Sequence, residues 1–195
     1  MRKVMLASKS PRRKELLENI GLKFSVLVTD TDESTVPKNL EPGIYVSELS
    51  MLKAVAAAKF ADKNTFVIGA DTIVVSPDGE IIGKPASREE AFDILRKLSG
   101  RVHSVYTGIT VTDTNDMHTV SSFEKTDVTF RELSDREINY YIDNFSVLDK
   151  AGSYGIQEYA GTFVSKIEGD YFNIVGLPLC RLCTMISKEY GEDLI

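Results

Sequence analysis

Residues 6 to 17, Leu-Ala-Ser-Lys-Ser-Pro-Arg-Arg-Lys-Glu-Leu-Leu, constrain this chain more than any other stretch. A short apolar strand, Val4 to Ala7, runs directly into a helix start, with Ser10 at the N-cap and Pro11 at the first helical position. Arg12 and Arg13 follow where backbone N–H groups lack intrahelical acceptors, a layout that binds phosphate well. The same residues also suit an ordinary capped helix with two solvated arginines, and the local pattern alone leaves both readings open.

Composition narrows the classes. A chain of 195 residues with 43% apolar content can bury a real core, as one large domain or two small lobes. A net charge of −6, from 23 basic and 29 acidic side chains, argues against binding a nucleic-acid polymer. No apolar run reaches the ~20 residues that span a bilayer, and the start Met-Arg-Lys-Val-Met-Leu-Ala lacks a signal-peptide core, so no membrane partner and a cytoplasmic location are expected. Cys180 and Cys183 form a C-x-x-C without a second pair, and neither His103 nor His118 has metal-ligand spacing. The apolar surroundings of the two cysteines predict buried, inert thiols in a C-terminal core helix.

Along the chain, the first helix carries Leu16, Leu17 and Ile20 inward and stops at Gly21, and Phe24 to Val28 reads as a second strand. A helix is predicted from about Gly43 to Phe60, with Val46, Leu49, Ala57 and Phe60 on one face. Lys53 shares that face, so its stem runs along the buried stripe and its ammonium emerges either as a snorkelling edge charge or at a functional point. Thr65 to Val75 is a strand pattern interrupted at 69–72, turned back by Ser76-Pro77-Asp78-Gly79. Asp71 stands in mid-strand between apolar runs, where a carboxylate usually has a metal, a cation or donors around it.

Capping boxes are predicted at Ser87–Glu90, opening a helix with Phe92, Ile94, Leu95 and Leu98, and at Ser134–Glu137, opening one that reaches about Phe145. Strand-like segments lie at about 102–112, 117–123, 126–130 and 162–167, and a last helix starts near Pro178. The stretch 149–157 is polar and glycine-rich, which suits backbone wrapped around a ligand. The expected architecture is α/β, a mixed and strongly twisted sheet flanked by helices.

These residues resemble the Maf family across nearly the whole chain. The markers are L-A-S-K-S-P-R-R-K-E-L-L at 6–17, Lys53 with its following alanines, G-A-D-T-I-V at 69–74, G-K-P at 83–85, S-G-R-V-H-S-V-Y-T-G at 99–108, D-K-A-G-S-Y-G-I-Q at 149–157 and I-E-G-D-Y-F-N-I-V-G-L-P-L at 167–179. One departure is Asn144-Phe145-Ser146-Val147-Leu148, where the family often has Gly-Glu-Pro. The resemblance implies a single domain over 1–195, with two lobes around a central cleft as in the related inosine triphosphate pyrophosphatases. It also implies hydrolysis of a nucleoside triphosphate to the monophosphate and pyrophosphate, with a divalent cation, Mg²⁺ or Mn²⁺. The branch acting on dTTP and UTP is matched at three specificity positions, which fall on Arg12, Thr72 and Gln157. A glutamine amide both donates and accepts, as the edge of a uracil or thymine ring requires.

On that basis Asp71 is the expected general base, Glu33 with Asp71 the expected metal ligands, and Ser8, Arg13, Lys53 and Lys84 the expected phosphate-binding groups. His103 reads as a satisfied structural histidine, and Lys150 is left without a task. A homodimer is compatible with the sequence. Two other readings share these residues: a non-catalytic nucleotide-binding regulator of cell division, and a house-cleaning enzyme for inosine or xanthosine triphosphates.

Overall fold

A computed structural model describes residues 2–194. The elements run β1 (Lys3–Ala7), α1 (Pro11–Asn19), β2 (Ser25–Val26), α2 (Pro42–Ala58), β3 (Thr65–Val75), β4 (Ile81–Ile82), α3 (Arg88–Leu98), β5 (Val102–Asp113), β6 (Thr119–Phe130), α4 (Asp135–Asn144), β7 (Val164–Glu168), α5 (Tyr171–Val175) and α6 (Leu179–Tyr190). Seven strands form a mixed sheet in the order β2-β1-β3-β5-β6-β7, with β4 paired to β3. β1 is parallel to β2 and β3, whereas β4 and β7 are antiparallel to β3 and β6. The chain divides into two compact units. One comprises the chain up to Asp71, Thr107–Glu124 and the chain from Gly176 onward; the other comprises Thr72–Tyr106 and Lys125–Val175.

In the first unit α2 lies against the sheet at unusually close range. A Cβ at Gly69 of β3 would stand 2.2 Å from the Ser50 carbonyl oxygen, and one at Gly108 of β5 would stand 2.1 Å from that of Val46. Both contacts are with helix backbone, so only glycine admits the helix there. Val46, Leu49, Ala54 and Ala57 are buried on the face so pressed, and Ser50 Oγ hydrogen-bonds Thr110 Oγ1 at 2.7 Å. α1 ends as its sequence implies: Leu22 N–H reaches Leu17 O at 3.1 Å and Gly21, at φ +75°, donates to Glu18 O.

The second unit packs α3 and α4 around an aromatic core that includes Leu95, Leu98, Phe130, Ile138, Tyr141, Tyr154 and Phe163. The Ser134–Glu137 capping box forms in both directions, with Ser134 N–H donating to Glu137 Oε2 at 2.9 Å. The box expected at Ser87 forms by half. Ser87 Oγ accepts from Glu90 N–H, but Glu90 Oε2 accepts instead from Ala86 N–H at 2.6 Å.

Other expectations are corrected. β3 runs unbroken through 69–72, because Gly69 serves helix packing and Asp71 finds a cation. The segments predicted at 117–123 and 126–130 are one strand, since alternation continues through Glu124 and Lys125 with Phe123 and Lys125 on the exposed face. β2 covers two residues only, and α5 was not anticipated. α2 stops before Phe60, which is 74% exposed, and Ile20 is half-buried. Cys180 is exposed and Cys183 half-buried, both free, because α6 buries Leu179, Leu182, Met185 and Ile186 on its other face.

Candidate active site

The sheet register explains why the site forms where it does. β1 ends as Ala7 pairs with Gly69, while the parallel strand β3 continues, so Asp71 stands just beyond the carboxyl end of β1, where Ser8 begins the turn into α1. The carboxyl ends of parallel strands are the usual ligand edge of open α/β sheets.

Ser8 and Arg13 organise the turn. Arg13 is buried; its Nη1 donates to Ser8 Oγ at 3.0 Å and its Nε to Gly176 O at 2.7 Å. Ser10 occupies the N-cap with extended backbone but its hydroxyl makes no capping bond; its own N–H donates to Ser8 Oγ at 3.2 Å. The solvated-arginine reading is therefore wrong for Arg13, and Arg12 is half-buried. Burial pushes the Arg13 guanidinium below the usual arginine range, with the charges of Asp71 and Glu33 acting in the opposite direction.

The Lys53 ammonium emerges from its helix between two carboxylates. Its ammonium binds Asp71 Oδ1 in a short ion pair and Glu33 Oε1 at 2.9 Å, with only 19% of the side chain exposed. It is not an edge charge spread into solvent. Glu33 is presented on a helical turn, Glu33–Thr35, whose N-cap Asp32 accepts from both Ser34 N–H and Ser34 Oγ. The predicted set Ser8, Arg12, Arg13, Glu33, Lys53 and Asp71 thus belongs to one unit, and three of its members meet at one ammonium.

Tyr45 is a residue that sequence reasoning missed. Burial raises its phenol above the usual tyrosine range, and the charges of Asp71 and Glu33 raise it further while Lys53 opposes. Tyr45, Leu49 and Lys53 recur every four residues on α2, a period that could have placed Tyr45 with the lysine.

Thr72, Lys84 and Gln157 belong to the other unit. Thr72 is the next residue of β3 and half-buried, Lys84 is exposed just after β4, and Gln157 is exposed. His103 and Lys150 lie in this unit as well. His103 is buried, its Nε2 sharing a 2.8 Å hydrogen bond with Tyr154 Oη, while Nδ1 finds no hydrogen-bond partner among the described residues. The satisfied histidine expected from sequence is thus half-satisfied. Burial lowers its pKa to about 4, against a smaller opposing effect of Asp127.

A metal can be weighed against this donor set. Among the described residues no group of three or more His, Cys, Asp or Glu side chains converges as a ready-made site. Two carboxylates drawn to one cation do suit Mg²⁺ or Mn²⁺, which commonly take one or two protein carboxylates and complete their shell with water and substrate phosphates.

The fold is thus a mixed α/β sheet whose first unit holds a buried arginine and gathers a lysine and two carboxylates beside the carboxyl end of β1. More narrowly, residues 3–189 match the family model described as Maf-like protein, and the chain belongs to that family. It is 49% identical over 193 residues to the dTTP/UTP pyrophosphatase of Thermoanaerobacter sp. (strain X514), covering 99% of this chain and 100% of that one. It is 47% identical over 195 residues to the dTTP/UTP pyrophosphatase of Alkaliphilus metalliredigens (strain QYMF), covering 100% of both. The dTTP/UTP pyrophosphatase of Caldanaerobacter subterraneus is 48% identical over 189 residues, covering 97% of this chain and 90% of that one.

Proposed function

We propose that this protein hydrolyses dTTP and UTP to the nucleoside monophosphate and pyrophosphate, as a house-cleaning activity that extends to modified pyrimidine nucleotides. One observation carries the reading: Lys53 draws the Glu33 and Asp71 carboxylates together in the same unit that holds buried Arg13 against Ser8. Full-length relatives near half identity bear that activity in their names. A pure regulator of cell division has no need of the carboxylate pair.

Asp71 takes the proton of the attacking water as a new P–O bond forms and the bond bridging the α and β phosphates breaks. Lys53, Arg13 and Lys84 neutralise the triphosphate, with Ser8 and the start of α1 contributing hydrogen bonds. Ion pairing to Lys53 holds Asp71 oriented until nucleotide arrives to share the ammonium. Glu33 and Asp71 would hold a divalent cation whose charge stabilises the departing pyrophosphate. Arg12, Thr72 and Gln157 select the base.

Pyrophosphate release from UTP and dTTP tests the reading. Asp71→Asn keeps the side-chain shape and should lower turnover by at least about 10²-fold. Turnover within about threefold of the parent protein would remove Asp71 from the role of base.

A further inference from the structure

The segment that carries Gln157 is built around a buried lysine to which the proposed reaction assigns no role. The Lys150 side chain is 3% exposed, and its Nζ donates to Ser146 O at 2.5 Å and stands 3.2 Å from both Asp149 Oδ1 and Glu158 Oε1. Its stem fills the space beside Gly155, where a Cβ would come within 2.8 Å of Lys150 Cε. The glycine expected to admit a ligand therefore admits the lysine. Tyr141 Oη closes the arrangement, accepting from Gly155 N–H at 3.1 Å and donating to Glu158 Oε2 at 3.4 Å. The segment also contains Ser146, within the stretch that departs from the family pattern.

An ammonium in such a place costs desolvation, and an apolar side chain of equal length often packs as well or better. What the charge adds is geometry, because three acceptors from separate points of one segment converge on one atom. One of them, Glu158, is the residue after Gln157, so the ion pair fixes the backbone from which the exposed glutamine projects.

We propose that Lys150 is a positioning residue for base selection, holding Gln157 in register through Glu158; the inference rests on the assignment of Gln157 to the base. An amide that must meet both a donor and an acceptor on a ring edge loses discrimination when its backbone wanders by a fraction of an ångström.

The test compares Lys150→Met, Glu158→Ala and Gln157→Ala, singly and with Gln157→Ala combined with each of the others, for kcat and KM with UTP and CTP. Lys150→Met and Glu158→Ala should each raise KM for UTP about tenfold, leave kcat within about threefold, and shrink the UTP-over-CTP preference toward that of Gln157→Ala. Added to Gln157→Ala, either should cost little more, as expected for residues acting through one group. Equal losses on both nucleotides, carried in kcat with the preference intact, would reduce Lys150 to a structural part and overturn the proposal. If Gln157→Ala itself leaves the preference unchanged, the base assignment falls and the inference falls with it. Where Lys150→Met fails to fold, Glu158→Ala decides alone, since its partly exposed side chain can be removed with Lys150 still bound to Asp149 and the Ser146 carbonyl.

Discussion

His103 should make this protein sensitive to mild acid, and the size of the effect follows from its surroundings. The ring lies in the core of the second unit, edge-on to Phe130 at 4.8 Å and to Tyr154 at 5.5 Å, with Nδ1 unpartnered among the described residues. Burial deprives an imidazolium there of hydration, and the charge of Asp127 offsets only part of that loss, so the folded-state pKa falls to about 4 from 6.5. In the unfolded chain the ring protonates near 6.5, so below that pH the unfolded state binds the extra proton and gains stability relative to the fold. The contribution is intact above about pH 7 and is lost as pH falls from 6.5 toward 4. The whole shift corresponds to about 3 kcal/mol, of which about 2 kcal/mol is gone by pH 5. Urea unfolding at pH 7.5, 6.5, 5.5 and 5.0 should show this loss in the parent protein, while His103→Gln, less stable at pH 7.5, should follow a shallower curve. The carboxylates and His118 are common to both proteins and cancel in the comparison. Parallel curves between pH 7.5 and 5 would refute the reasoning.

The remaining predictions concern the site and the helix that supplies it. Lys53→Met preserves the apolar stem and should weaken binding of a non-hydrolysable UTP analogue at least about tenfold by calorimetry at fixed metal concentration, whereas an unchanged Kd would restore Lys53 to a structural charge. Gly69→Ala drives a methyl against the Ser50 carbonyl and should cost about 2 kcal/mol or more in denaturant unfolding; a cost below about 0.5 kcal/mol would mean that α2 can retreat and that its close approach is not enforced.

Local patterns carried the sequence as far as chemistry permits. The strand-into-helix start, the Ser134–Glu137 box and the α2 stripe depend on neighbours within about four residues, and each formed, save that Ser10 makes no capping bond and Phe60 lies beyond α2. Asp71 and Lys53 could be singled out because a carboxylate in a strand and an ammonium on an apolar face both demand a partner. The partner's identity was another matter. Lys53 and Asp71 are 18 residues apart and Arg13 reaches Gly176 across 163, distances set by the order of strands in the sheet, which no periodicity encodes. The glycines misled for the same reason. Gly69 looked like a strand break and Gly155 like a ligand cradle, yet each makes room for a side or a helix of the protein itself, and a sequence records only the missing Cβ, not what approaches it. That distinction bears on function, because close packing of α2 on Gly69 and Gly108 fixes the axis of the helix, and so fixes where the Lys53 ammonium can emerge. The ammonium that joins both acidic groups is thus positioned by two absent methyl groups, and a substitution at either glycine should disturb the site without touching any residue in it.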